Sequence, residues 1–241
     1  YNLLKELDCP LFNGPIMFMR EVSKWEKDEK GVSPIEVVTA VTLPEIDGAI
    51  EPIPIAGLSD DMSKRTLIIE DRINRKINRI LGWLNLRRKP NAEKRVAIVI
   101  YNYPPGEHNV GSASYLDVFG SLEALLKTLK ENNYVTDVLT REDLKELITT
   151  HGLVNSPQWT LPESTNAIKL DVREYSELLA KLPDEVVSRI VETWGEAPGN
   201  INVVHDQFLI PGVILGNVFI GVQPSRGVHE NTDKIYHSQD L

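Results

Sequence analysis

Three carboxylates fall within seven residues in the segment Pro44-Glu45-Ile46-Asp47-Gly48-Ala49-Ile50-Glu51-Pro52. Carboxylates held close together raise one another's pKa, so that one of them can act as a proton acceptor nearer neutrality. They are also ligands for hard metal ions. Read as an extended stretch, Glu45 and Asp47 share a face, and Gly48 permits a tight turn. The same residues suit a solvated loop at a helix end, and residue chemistry alone favours that plainer reading.

A second candidate is the loop Tyr103-Pro104-Pro105-Gly106-Glu107-His108-Asn109-Val110-Gly111, which follows the β-rich run Val96 to Ile100. It has neither of the glycine-rich phosphate-binding spacings and no lysine to hold a β- or γ-phosphate, so no ATP site of its own is expected. It still lies at the carboxyl end of a strand, where parallel sheets bind ligands. Asn109 and Gly111 are therefore substrate-binding candidates, against an ordinary strand–helix connection. The five histidines form no zinc-protease motif, and Cys9 is the only cysteine. His229 and His237, near the end of the chain, could join carboxylates in an open metal site, although surface loop histidines are the plainer reading. The pairs Glu107-His108 and His205-Asp206 are weaker signals, since neighbouring side chains often point apart. Arg226, in the loop after the β run Asn217 to Val222, could meet a ligand carboxylate.

These residues need elements to hold them. Ser33-Pro34-Ile35-Glu36 is a capping box with proline in its favoured first position. The helix it starts is expected to stop before Pro44, leaving Glu45 to Gly57 extended. Cys9 to Phe12 reads as a short buried strand, and Ile16 to Lys27 as a helix. Isoleucines and leucines at spacings of three and four from Ile69 to Leu84 predict an amphipathic helix over about 64–86. A strand at 95–101, a helix at 116–131, a strand at 134–139 and a helix at 141–150 give a β–α–β order, hence a parallel sheet with right-handed crossovers. The expected class is α/β, with parallel sheets flanked by helices in two lobes joined by a long helix. The expected divisions are 1–60 with the acidic turn, 61–94 as basic helix and linker, and 95–241 as a second lobe.

The net charge is −9, which argues against general nucleic-acid binding. From Lys64 to Arg95, however, eleven Lys or Arg face three Asp or Glu. That stretch could dock an acidic partner or a polycarboxylate, or be a solvated helix face. No apolar run reaches the length of a membrane span, and one cysteine excludes an internal disulfide framework. A cytoplasmic setting is expected. Both ends read as cut points in a longer protein.

Four strings carry a family resemblance. They are Leu43 to Ile53 (LPEIDGAIEPI), Asn109 to Ser121 (NVGSASYLDVFGS), Trp194 to Asn200 (WGEAPGN) and Gly216 to Pro224 (GNVFIGVQP). Together they resemble the large subunit of the three-subunit metal chelatases, the cobaltochelatase and magnesium chelatase family. The resemblance implies an internal fragment of a subunit that binds a tetrapyrrole and takes a cobalt or magnesium ion as substrate. It implies AAA+ partner subunits that hydrolyse ATP. It places a functional acid in the first string, making Glu45 the first choice, with Asp47 and Glu51 next and His237 and His229 after them. The Tyr-Leu-Asp-Val-Phe-Gly-Ser string looks closer to the magnesium branch. Ser225-Arg226-Gly227 and the end, Lys234 to Leu241, look closer to the cobalt branch, and the lean is to cobalt in a corrin precursor. The isolated piece is expected to be inactive, and a non-catalytic scaffold or binding module is the rival reading.

Overall fold

Glu36 is where the capping signal becomes tertiary structure. In the computed structural model, which describes residues 6–28, 30–101, 110–111, 113, 115–151, 168–199 and 203–223, Ser33 and Glu36 form the reciprocal capping box. One carboxylate oxygen of Glu36 accepts from the Ser33 N–H at 3.0 Å and the Ser33 hydroxyl at 2.6 Å. The other accepts from the N–H groups of Phe18 and Met19 at 2.8 and 3.0 Å. The side chain is 1% exposed. Burial alone would raise its pKa, but the hydrogen bonds from Ser33, Met19 and Phe18 outweigh burial and hold it below the ordinary value.

The chain divides into two units, Tyr1–Lys89 and Pro90–Leu241. The first contains β1 (Leu11–Phe12), β2 (Ile16–Glu21), α1 (Val22–Glu26), α2 (Pro34–Val37), a π-helical turn (Val38–Thr42), α3 (Leu43–Ile46), β3 (Ala49–Ile50), β4 (Ala56–Leu58), β5 (Thr66–Ile68) and α4 (Glu70–Arg88). β1 pairs with β3 in parallel, β2 with β4 in parallel, and β4 with β5 antiparallel.

Several local expectations do not hold in the fold. Ile16 to Lys27 is not one helix: its first six residues form β2, because pairing with β4 buries Met17. Gly57 permits that fit, since a Cβ there would lie 2.9 Å from Met17 Cε and 3.0 Å from Val22 Cγ2. The expected buried strand at Cys9 to Phe12 shrinks to β1, with Leu11 41% exposed. The long helix starts at Glu70, because Thr66–Ile68 completes the β2–β4–β5 sheet. Its buried anchor, Ile69, is the residue that caps it. This helix lies within the first unit.

The second unit contains β6 (Val96–Ile100), α5 (Val118–Glu131), α6 (Arg141–Glu146) running into a π-helical turn (Leu147–His151), β7 (Ile168–Asp171), α7 (Val172–Leu179), α8 (Asp184–Trp194), β8 (Val203–Val204), β9 (Gln207–Ile210), β10 (Gly212–Leu215) and β11 (Val218–Val222). β6 and β11 pair in parallel, as the two strongly apolar runs suggest, but β10 adds antiparallel to β11. A second sheet, ordered β7–β9–β8, is antiparallel throughout. The architecture is therefore mixed α/β rather than parallel alone. Residues 134–139 form no ladder; Val135 instead accepts a hydrogen bond from the Asn217 N–H at 2.8 Å. Leu122, Leu126, Leu144 and Ile148 from the helices pack with Val218, Ile220 and Val222 as one core. No helix among the described residues is long and apolar enough to cross a membrane.

Candidate functional site

The acidic turn is built by a proline inside a helix. Pro44 has no N–H to give to the carbonyl of Ala40, four residues back, and its ring crowds that carbonyl. The expected stop before Pro44 does not occur. The helix instead widens into the π turn Val38–Thr42, where the Leu43 N–H bonds to the Val38 carbonyl, and then resumes as α3. Asn13 supplies the missing donor, its Nδ2 lying 2.6 Å from the Ala40 oxygen. The Asn13 backbone N–H also donates to Ile50 at 2.9 Å, and its carbonyl accepts from Lys76 Nζ. One residue thus ties the irregular helix, β3 and α4 together. Single π turns in α-helices occur often at functional sites.

This helix carries Glu45 on its last turn and Asp47 at its C-cap, both exposed. They are helical rather than extended neighbours. Side chains two apart on a helix point about 200° from one another, so the two carboxylates do not share a face. Neither makes a side-chain hydrogen bond or ion pair with a described residue. Gly48 ends the turn at φ 94°, donating to the Glu45 carbonyl at 2.9 Å. That backbone state, rather than crowding, calls for glycine, since a Cβ there would meet nothing within 4 Å.

Glu51 has a different environment. It sits at φ 56°, a left-handed conformation uncommon for glutamate. Its carboxylate accepts from Arg79 Nε at 3.1 and 3.0 Å, from Arg79 Nη2 at 2.5 Å and from Trp83 Nε1 at 2.9 Å. Its carbonyl accepts from Lys76 Nζ at 3.2 Å. Hydrogen bonds from Arg79, then Trp83, lower its pKa from the ordinary 4.5 to about 2. Glu51 is therefore a fixed anion at neutral pH, suited to anchoring the turn on α4 rather than to taking up a proton. Arg79 is raised reciprocally, and Lys76 is lowered by burial against the opposing charge of Glu51.

The other sequence candidates separate. Gly111 belongs to the second unit, at φ 72°, with its N–H donating to the Tyr101 carbonyl at 2.9 Å. A Cβ there would press on Phe119 and Val118 at 3.2 Å. Asn109, Arg226, His229 and His237 lie outside the described residues, as does His108. His205 and Asp206, at φ 48° and 60°, are the two central residues of the β8–β9 hairpin, a turn that needs positive φ at both positions. That role accounts for the pair. Among the described residues, no group of three or more His, Cys, Asp or Glu could hold a metal ion.

Asn13, Lys76 and Trp83 escaped the sequence reading as site residues. Pro44 inside a helix announces an orphaned carbonyl, but nothing local says that a side chain 27 positions away in sequence will satisfy it.

The chain is mixed α/β, with two carboxylates on a π-distorted helix that have no side-chain partner among the described residues and a third locked by arginine. The profile described as CobN/Magnesium Chelatase matches residues 1–241, and the chain belongs to that family. It is 34% identical over 238 residues to the chloroplastic magnesium-chelatase subunit ChlH of Oryza sativa, covering 98% of this chain and 16% of that protein. It is 28% identical over 241 residues to the aerobic cobaltochelatase subunit CobN of Pseudomonas aeruginosa, covering 97% and 19%. The structure of the catalytic subunit of cobaltochelatase from Mycobacterium tuberculosis aligns at a TM-score of 0.78 and 29% identity, over 98% of this chain and 20% of that one. The chain thus spans about a fifth of the length of the curated relatives it matches.

Proposed function

We propose that the chain serves in the large, tetrapyrrole-binding subunit of an ATP-dependent metal chelatase, and that the metal it inserts is magnesium, into a porphyrin. The family match over all 241 residues carries the general reading. The choice of metal rests on identity, which reaches 34% to the rice magnesium-chelatase subunit against 28% and 29% to the cobaltochelatase subunits, with bacterial magnesium-chelatase subunits spanning 28% to 32%. That ordering runs against the cobalt lean drawn from Arg226 and the chain end. Cobalt insertion into a corrin precursor is the second reading, favoured by those terminal strings.

Insertion must remove two pyrrole protons and strip water from a divalent cation. Glu45 is the proposed acceptor: its carboxylate is exposed and has no hydrogen-bond or ion-pair partner among the described residues, on a turn whose geometry Asn13, Lys76 and Glu51 fix. Asp47, on another side of that turn, is proposed to meet the incoming hydrated ion. Asn109, Gly111 and Arg226 are proposed to contact the ring, and His229 and His237 to assist the metal. ATP hydrolysis is assigned to separate AAA+ subunits.

The test is Glu45→Gln in the full-length subunit with its ATPase partners. Loss of insertion with ring affinity preserved is expected, because the amide keeps the shape and loses the base. Wild-type turnover would remove Glu45 from the mechanism. Running magnesium and cobalt in parallel, each with its own ring, decides the branch.

A further inference from the structure

Beside the acidic turn lies a cavity of about 460 Å³, lined by Glu51, Pro52, Ile53, Pro54, Arg72, Arg75 and Arg79. Its size falls within the range of small-molecule sites. The three arginines come from successive turns of one face of α4, at spacings of three and four. Their engagements differ. Arg79 is committed to Glu51. Arg72 lies over the Trp25 ring at 5.1 Å, and its Nε is 3.3 Å from Asp71 Oδ2 without forming a hydrogen bond. That Nε is buried and unsatisfied. Arg75 makes no hydrogen bond or ion pair with a described residue. Lys76, on the same helix, turns its ammonium to the carbonyls of Asn13 and Glu51. Four cations therefore stand against two carboxylates, Glu51 and Asp71, leaving a local excess of two positive charges.

We infer that this cavity binds the carboxylate arms of a small polycarboxylate ligand, with Arg75 and Arg72 as the donors. A guanidinium offers a planar fork that matches a carboxylate, and Arg75 brings one to the cavity with no hydrogen bond or ion pair to a described residue. Pro52, Ile53 and Pro54 supply the apolar part of the lining. A carboxylate on a short aliphatic arm satisfies both surfaces, whereas a bare inorganic anion would leave the apolar part unused. Glu51, held as an anion by Arg79, keeps that arginine from competing and leaves the other two to the ligand. The inference rests on the tetrapyrrole reading, because ring substituents of this type are such arms, and it names where they would seat.

The probes are deuteroporphyrin IX and its dimethyl ester, which share a ring and differ in charge, titrated against the full chain and followed by ring absorption and tryptophan fluorescence. Trp25 and Trp83 adjoin the site. The diacid is expected to bind at least about tenfold more tightly than the diester, and Arg75→Gln to shrink that gap to about twofold. Arg75 makes no hydrogen bond or ion pair with a described residue, so the variant should fold. Arg72→Lys, which keeps charge but loses the fork, should fall between. Equal affinity for the two probes, or an unchanged gap in Arg75→Gln, overturns the site and leaves the proposed function standing. If neither porphyrin binds the wild type, these residues do not hold the ring by themselves. Tricarballylate then decides the cavity alone: quenching that Arg75→Gln abolishes sustains a carboxylate site, and no quenching overturns it.

Discussion

Asn13→Ala isolates the device that shapes the acidic turn. Two of the three bonds at Asn13 use its backbone, so alanine removes only the 2.6 Å bond from Nδ2 to the Ala40 carbonyl. That carbonyl cannot recover a donor from Pro44. Leaving a buried acceptor unmade costs about 1–3 kcal/mol. The group is only partly buried, which places the cost near the lower half of that range, about 1–2 kcal/mol. For a unit of this size each kcal/mol corresponds to about 4–8 °C in Tm. Urea unfolding at pH 7, followed by circular dichroism, would read the change as a shift in midpoint at constant slope. The discriminating step is the same substitution in a Pro44→Ala background, where residue 44 regains its N–H and the helix can relax toward regular α geometry. There Asn13→Ala should cost less than about 0.5 kcal/mol, giving a coupling near 1 kcal/mol between residues distant in sequence. An equal cost in both backgrounds would refute the link between the proline and the asparagine.

Acid should weaken the first unit in a defined window. Glu36 and Glu51 both have folded pKa values below the ordinary 4.5, so each adds stability that is complete above about pH 4.5 and is lost as pH falls through its folded value, about 2 for Glu51. Asp28 and Asp61, also lowered, extend the same limb. Urea midpoints measured from pH 7 to pH 2.5 should fall mainly below 4.5, and Glu51→Gln should flatten the descent; an unchanged slope in that variant counts against the Arg79 pairing. Glu36→Ala leaves the N–H groups of Ser33, Phe18 and Met19 without acceptors, for an expected loss of about 3–5 kcal/mol in the same assay. A loss under about 1 kcal/mol would mean that water replaces the carboxylate without penalty.

Much was readable from local chemistry. The capping box at Ser33, the two apolar runs that became β6 and β11, and the amphipathic pattern of α4 each follow from propensity and period acting within a few residues. The family strings were likewise legible, because they are contiguous. Elsewhere local reading failed for identifiable reasons. Ile16 to Glu21 has helical spacing, yet β4 recruits it as a strand and Gly57 makes room for Met17. Pro44 reads as a stop, yet a π turn and a distant asparagine let the helix pass it. Glu45, Asp47 and Glu51 look like one acidic cluster in sequence. The fold divides them by backbone conformation and by Arg79 into two exposed carboxylates with no side-chain partner among the described residues and one fixed anion. Sequence by itself determined which chemical groups the acidic turn offers. Only tertiary structure decided which of them stays exposed and which is tied to a partner, because partners such as Arg79 and Asn13 arrive from separate elements and long-range pairing leaves no mark on the residues next to it.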